Sequence, residues 1–380
     1  LSIRRQRQMC IRDRINMKQK RFTFLLLFVA NLFCASAQKW YTPEIDQKVE
    51  DLLKQMTVEE KLGYIGGVNW MYTKSIDRLG IHRMKMSDGP QGLGTNGKST
   101  AYPSTVTLAA TWNENLAYQY GKALGRDCRA RNVNVILGPA VNIYRAPMCG
   151  RNFEYMGEDP YLTSRICVGY IKGVQDQGVM ATVKHFVANN SDYDRNNISN
   201  DIDERTLNEI YFPAYKAAIQ EAEVGAVMTS YNLMNGIYTT ENPWLLKEVL
   251  RNQWGFKGLV MSDWGSTHYC VPAAKGGLDL EMAGGEKMNP KDMAYYLKTG
   301  DVTMDMVDEK VRHILRILIA FGFKDGTQAD KNIPLDDPKS AETALNVARE
   351  GLVLLKNENN ILPLNPKKYK HIIVTGKNAH

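Results

Sequence analysis

The sequence predicts an α/β fold: a (β/α)8 TIM-type barrel followed by the start of a second α/β sandwich domain. Three observations predict it. Short apolar runs alternate with stretches of helical spacing between residues 83 and 321, which implies parallel strands joined by crossover helices. The stretch 38–323 has about the length of a barrel, ~250 residues. Several strand ends carry clusters of polar, reactive side chains. A barrel gathers all such ends at one mouth, whereas the alternative, an open doubly wound sheet, concentrates them at one switch point.

Residues 1–16 are basic, lack a hydrophobic period and precede Met17, so they read as a non-native scar. Residues 17–37 read as a signal peptide: Lys18, Lys20 and Arg21 lead an apolar run over 22–33, and Ala35-Ser36-Ala37 offers a cleavage site. The apolar run is too short to span a bilayer, and no later segment is long and apolar enough. An exported protein, periplasmic or extracellular, without an integral membrane segment after signal removal is expected.

Thr42-Pro43 opens a helix with Pro at its favoured first position, and Thr57-Val58-Glu59-Glu60 is a capping box for the next. Strands are then expected at 83–86, 133–137, 179–183, 226–228, 259–261 and 277–282. Helices are expected at 113–131, 162–177, 204–221, 243–252, 292–298 and 305–321. Residues 324–341 are polar and contain Pro, as a linker does. A helix is expected at 341–351, and residues 342–380, with two apolar runs, LVLLKN and HIIVTG, read as the truncated start of the second domain.

The formal charge of +7 is misleading. Eight of the 48 bases and one of the 41 acids fall within 1–37, and the remainder balances at 40 against 40. No basic stripe remains to hold a phosphate backbone, so nucleic acid is not an expected partner. Cys128, Cys149, Cys167 and Cys270 lie beyond residue 37. Their spacing is not that of a zinc site. Export permits disulfides with three connectivities open, and free buried thiols are the simpler reading.

The stretch 255–265, GFKGLVMSDWG, is an apolar strand that stops at Asp263. In a parallel barrel that edge is where chemistry is placed, which makes Asp263 a candidate nucleophile; a cap for the following helix is the competing reading. The other strand ends decide between them. Asp88 offers acceptors for paired hydroxyls, and Arg151, Lys184 and His185 offer donors. Tyr231 offers a phenol, and Trp264 a flat face for stacking on a sugar ring. Singly, each has a structural alternative: Asp88 in a turn, Arg151 and Glu154 as an ion pair, Lys184-His185 as a solvated strand end, Tyr231 and Trp264 as core. Together, at successive strand ends, they fit a polyhydroxylated ligand. No phosphate loop, metal-ligand triad or Ser-His-Asp order stands out, and neither a cofactor nor a metal is called for.

These motifs resemble glycoside hydrolase family 3, in its two-domain β-glucosidase-like branch. The stretches that carry the resemblance are SDGP (87–90), GRNFEYMGEDP (150–160), KHFVANN (184–190), TSYN (229–232), GFKGLVMSDWG and LLKNENNILPL (354–364). The resemblance implies an exo-acting, retaining hydrolase that releases terminal non-reducing β-D-glucosyl units from oligosaccharides or aryl β-glycosides. Asp263 would be the nucleophile, and Asp88, Arg151, Lys184, His185, Tyr231 and Trp264 would line the subsite of the terminal sugar. A β-xylosidase or α-L-arabinofuranosidase of the same family, a phosphorylase on the same scaffold and a non-catalytic sugar-binding protein are the rivals. Trp264, where xylosidase-like members commonly carry Cys, leans towards the glucosidase.

A retaining glycosidase needs two carboxyl groups roughly 5–5.5 Å apart. The resemblance places the acid/base in the second domain, and no residue of this chain is assigned to it. Lys184 and His185 are adjacent, so a regular strand would point them to opposite faces. For both to face one sugar the backbone must depart from strand geometry, with local strain expected there. One further departure is Gly94, which stands where the family often has Arg four residues after the SDGP proline; it puts recognition at the sugar's C4 in question.

Overall fold

The computed structural model describes residues 41–94, 97–326 and 328–377. The expected scar and signal peptide lie outside the described residues. The described chain forms two compact units: residues 41–84 with 240–326, and residues 85–239 with 328–377. The strands are β1 (Met86–Asp88), β2 (Val135–Leu137), β3 (Met180–Phe186), β4 (Ser199–Asn200), β5 (Ala226–Thr229), β6 (Leu233–Met234), β7 (Ile237–Tyr238) and β8 (Leu259–Met261).

In the second unit β1, β2, β3 and β5 pair in parallel in that order. Helix Pro160–Gln175 connects β2 to β3, and helical turns ending in Pro213–Gln220 connect β3 to β5. All seven residues of β3 are buried, as expected for a parallel strand covered on both faces. Helix Glu114–Ala130 begins at Asn113, whose side chain accepts the Leu116 amide, and it lies against Pro160–Gln175. The approach is close enough that glycines are required. An added Cβ on Gly121 would lie 2.1 Å from the Tyr170 carbonyl oxygen, and one on Gly173 would lie 2.1 Å from that of Tyr118.

Helix Pro338–Glu350 also packs in this unit and starts inside the expected linker. Asp337 caps it by accepting the Lys339 amide and takes Arg126 at 2.5 Å. Behind that cap, the buried Asp127 accepts Ser340 Oγ at 2.9 Å and Tyr102 Oη at 2.7 Å. Burial raises the Asp127 pKa, against the two hydrogen bonds. β4, β6 and β7 form a small separate sheet. Its Asn235-Gly236 turn has both residues at positive φ, the signature of a tight hairpin.

In the first unit helices Pro43–Leu53 and Val58–Tyr64 start as expected. The reciprocal box of Thr57 and Glu60 is present, and Thr42 caps the first helix ahead of Pro43. Helix Met304–Ala320 buries Val307, Val311, Ile314 and Leu318 on one face. The run 277–282 makes only single bridges, Met261 to Leu280 and Gly66 to Glu281. Its Asp279 carboxylate is fully enclosed. It accepts Arg251 at 2.7 Å, His313 Nδ1 at 2.8 Å and the Val260 amide at 2.8 Å. Burial opposes its charge, but His313 and Arg251 overcome that and hold the carboxyl below its usual range.

Cys128, Cys149, Cys167 and Cys270 are free thiols. No helix among the described residues is long and apolar enough to cross a membrane. The runs LVLLKN and HIIVTG form no strand, and Leu352, Leu355, Ile372, Ile373 and Val374 are exposed.

Candidate functional site

The sequence of β1 ends in Asp88, the first exposed residue after two buried ones. The chain then turns through Gly89 at φ 128°. Asp88 opens onto a cleft of about 660 Å³ in the second unit, shared with Arg151, Phe153, Glu154 and Lys184 and floored by residues 89–94 and 97–101. Three of the site residues read from the sequence, Asp88, Arg151 and Lys184, are therefore brought together.

Glu154 organises the cations. Its Oε1 accepts Arg151 Nε at 2.5 Å, and its Oε2 lies 3.9 Å from Lys184 Nζ. The ion pair weighed as the structural alternative for Arg151 exists, and it forms part of the cleft wall. Arg151 also donates from Nη2 to His185 Nε2 at 2.8 Å. A guanidinium can only donate, so this nitrogen supplies a lone pair. Burial pushes the His185 pKa well below the usual imidazole range, and Arg151, Lys184 and Arg195 push it the same way. His185 is thus a neutral ring. Its Nδ1 lies 3.4 Å from Tyr155 Oη, which accepts Asn189 Nδ2 at 3.0 Å. Tyr215 Oη donates to the His185 carbonyl at 2.6 Å.

The backbone departs from regular strand geometry where the sequence required it. The pairing of β3 with β5 shifts register between Val183 and Phe186, and the Lys184–His185 peptide is cis. Tyr231 follows β5, half-buried, with the Arg195 guanidinium 4.4 Å from its ring centroid. Arg195 is in turn held by Asp192 at 2.5 Å.

Asp263 and Trp264 belong to the first unit, two and three residues past the end of β8. Asp263 is 7% exposed. Its Oδ1 accepts the Trp264 amide at 2.7 Å, and its carbonyl accepts Ser266 Oγ at 3.0 Å. It does not cap a helix: the next one, Cys270–Gly276, starts behind Tyr269. The amides of His268 and Tyr269 are taken instead by Glu241 Oε1, at 2.9 and 2.8 Å. Ser262 Oγ accepts the Met282 amide at 2.9 Å, which ties the end of β8 to the neighbouring run. The Trp264 indole donates to the Trp70 carbonyl at 2.8 Å, and the Trp70 ring is 64% exposed. Past the run 277–282 the chain turns back on itself, and the Glu281 carboxylate accepts the amides of Glu286, Lys287 and Met288 at 2.6–3.1 Å. Burial raises its pKa in spite of these bonds.

Tyr155, Asn189, Arg195 and Trp70 were not singled out from the sequence. Tyr155 adjoins Glu154 inside a quoted motif and Asn189 lies inside KHFVANN, so their positions were visible but their partners were not. Among the described residues no group of three or more His, Cys, Asp or Glu could hold a metal ion.

Residues 55–317 match the family model described as the glycosyl hydrolase family 3 N terminal domain. A β-glucosidase of Rhizobium radiobacter is 42% identical over 337 residues, covering 87% of this chain and 41% of the relative. Thermostable β-glucosidase B of Acetivibrio thermocellus is 40% identical, covering 83% and 43%. Among solved structures, β-glucosidase 3B from Thermotoga neapolitana in complex with α-D-glucose superposes with a TM-score of 0.80 at 38% identity, covering 84% of this chain and 48% of that one. The chain therefore spans less than half the length of these relatives. Their likeness shows the α/β class expected from the sequence, and the matched model is that of an N-terminal domain. This chain belongs to glycosyl hydrolase family 3.

Proposed function

We propose that the chain carries the glycosyl-binding cleft and the nucleophile of a retaining, exo-acting β-glucosidase. The observation that carries this reading is the Asp88, Arg151, Glu154 and Lys184 cleft in a chain of this family. A carboxylate and two cations fixed by a second carboxylate suit vicinal hydroxyls, because ionised groups make shorter and stronger hydrogen bonds than neutral ones. The resemblance and the position of Asp263 past β8 support its role as nucleophile. One Asp263 oxygen attacks the anomeric carbon, the glycosidic C–O bond breaks, and the aglycone leaves with the electron pair. Water then adds its oxygen to the anomeric carbon, loses a proton and frees the carboxylate. Arg151, Lys184, His185, Tyr231 and Trp264 hold the sugar or the groups that touch it. Trp264, at the place where xylosidase-like members commonly carry Cys, favours a glucosidase over the xylosidase and arabinofuranosidase readings. In the same reading the mature protein is exported and starts near residue 38, its catalytic domain ends near 323, and residues from 342 onward open a second domain.

The test is intact-protein mass after incubation with 2,4-dinitrophenyl 2-deoxy-2-fluoro-β-glucoside, whose leaving group departs without an acid. One fluoroglucosyl adduct on the peptide holding Asp263, absent from Asp263→Ala, is expected. A folded protein that binds glucose but forms no adduct would favour the sugar-binding reading.

A further inference from the structure

We propose that Tyr155 is a positioning residue: it holds the His185 ring in its Nδ1–H form, and the ring in turn holds Arg151 for the sugar. The proposal rests on the glycosidase reading and deepens it, by naming what orients one of the groups assigned to the sugar.

The neighbours of the ring place its proton. Arg151 Nη2 lies 2.8 Å from His185 Nε2, and a guanidinium has hydrogens to give but no lone pair to offer. Nε2 is therefore bare, and the one proton of the neutral imidazole sits on Nδ1. Tyr155 Oη is 3.4 Å from Nδ1, and the two rings meet edge to face at 75°. With the proton on Nδ1, Tyr155 accepts there. Donation by the phenol would need a bare Nδ1, hence a proton on Nε2 pointing at the Arg151 N–H. Burial raises the Tyr155 pKa, so the phenol stays neutral.

The phenol is itself fixed. Asn189 Nδ2 donates to Tyr155 Oη at 3.0 Å, and the Asn189 amide donates to Asn142 Oδ1 at 3.2 Å. Tyr215 Oη lies 3.2 Å from the same Asn142 oxygen and 2.6 Å from the His185 carbonyl. His185 is thereby gripped at three points: Nε2 by Arg151, Nδ1 by Tyr155 and the carbonyl by Tyr215. Asn142, Tyr155, His185, Asn189 and Tyr215 are all buried, and in such a network each bond strengthens the next.

Tyr155 acts through Arg151 and need not touch the sugar. The Arg151 guanidinium is tied at Nε to Glu154 and at Nη2 to His185. Its plane is set by these two contacts, and the second of them exists only in the Nδ1–H form of the ring. A group that must meet a ligand in one geometry is held there by partners of this kind. The Nδ1–H form is the minor one in free histidine, so its presence here would report the grip of Tyr155 and Arg151.

The experiment reads the ring nitrogens of the full chain, labelled with nitrogen-isotope histidine, by two-bond proton–nitrogen correlation. Beside it, kcat/KM is measured on 2,4-dinitrophenyl β-glucoside. The His185 signals are those missing from His185→Gln. The parent should carry the His185 proton on Nδ1. In folded Tyr155→Phe the ring should pass to the Nε2–H form or exchange between the two. Its kcat/KM should fall by about 100-fold, the cost of misplacing a binding group by about 1 Å. His185→Gln should keep more of kcat/KM than His185→Asn, because only the longer amide can place an oxygen where Nε2 accepts Arg151. A parent with the proton on Nε2 would overturn the proposal and leave the glycosidase reading standing. So would a folded Tyr155→Phe that keeps the Nδ1–H form or is as fast as the parent. Should Tyr155→Phe not fold, the parent's tautomer and the order of the two His185 variants decide. No turnover by the parent would overturn the glycosidase reading and the proposal with it.

Discussion

Replacing Gly173 by Ala would place a methyl group 2.1 Å from the Tyr118 carbonyl oxygen and 2.7 Å from the Lys122 amide nitrogen. Heavy atoms in contact sit at about 3.5 Å, so the two helices must part by more than 1 Å at that point, an order-of-magnitude reading of the same contact distance. Both obstacles are backbone atoms inside a helix, and neither can swing away as a side chain would. Overpacking of this kind destabilises by about 1–3 kcal/mol, occasionally more. Against it stands the helical preference of Ala over Gly, about 0.5–1 kcal/mol. The steric effect wins, and a net loss of about 1 kcal/mol is expected. Gly63 supplies the control. It too is helical, but a Cβ there would meet only Lys74 Nζ at 4.0 Å, so Gly63→Ala should stabilise by about 0.5–1 kcal/mol. Urea unfolding followed by circular dichroism reads both. Equal gains in the two variants would refute the claim that the helix pair is fixed by backbone contact.

Two further predictions concern charge. Lys310 is buried and donates to the Ala274 and Leu278 carbonyls at 2.8 and 2.7 Å, and burial lowers its pKa to about 8. Its folded pKa lies below the unfolded one, so between pH 8 and 10.5 the unfolded chain holds more protons. Stability should therefore rise with pH across that window, by up to about 3 kcal/mol. Lys310→Met should lack this rise, and unfolding curves at pH 7.5 and 10 compare the two. Glu154→Gln removes the charge that fixes Arg151 and Lys184; displacement of such groups by about 1 Å lowers kcat/KM by about 100-fold. A variant as fast as the parent on 2,4-dinitrophenyl β-glucoside would show that Glu154 does not position them.

Local signals and long-range ones were unequally legible. β8 and the Asp263 that follows it could be read because an apolar run shortly before a carboxylate is a pattern within a few residues. The Thr57 box is equally local. The helix expected over 204–221 is instead broken into Glu204–Thr206, a wider turn over Leu207–Tyr211, and Pro213–Gln220. Pro213 was the available signal, since it lacks the amide an unbroken helix needs. The wide pitch of Trp244–Gln253 has no counterpart in its composition. The strand expected at 83–86 starts three residues later and ends two later, and the one at 179–183 runs on to Phe186, because partner strands set where pairing starts and stops. The candidate site divides in the same way. Residue types at strand ends revealed Asp88, Arg151 and Lys184. The contact of Tyr155 with His185 spans 30 residues and could not be read from spacing.

Glu281 has a consequence of its own. Three successive amides converge on its carboxylate, so the loop folds around an anion that the chain carries on a tether. Cut the tether, as in Glu281→Gly, and the cradle that remains is an empty seat for a small oxyanion. A protein whose loop is built in this way would become dependent on formate or acetate in its buffer, having exchanged an internal counter-charge for a borrowed one.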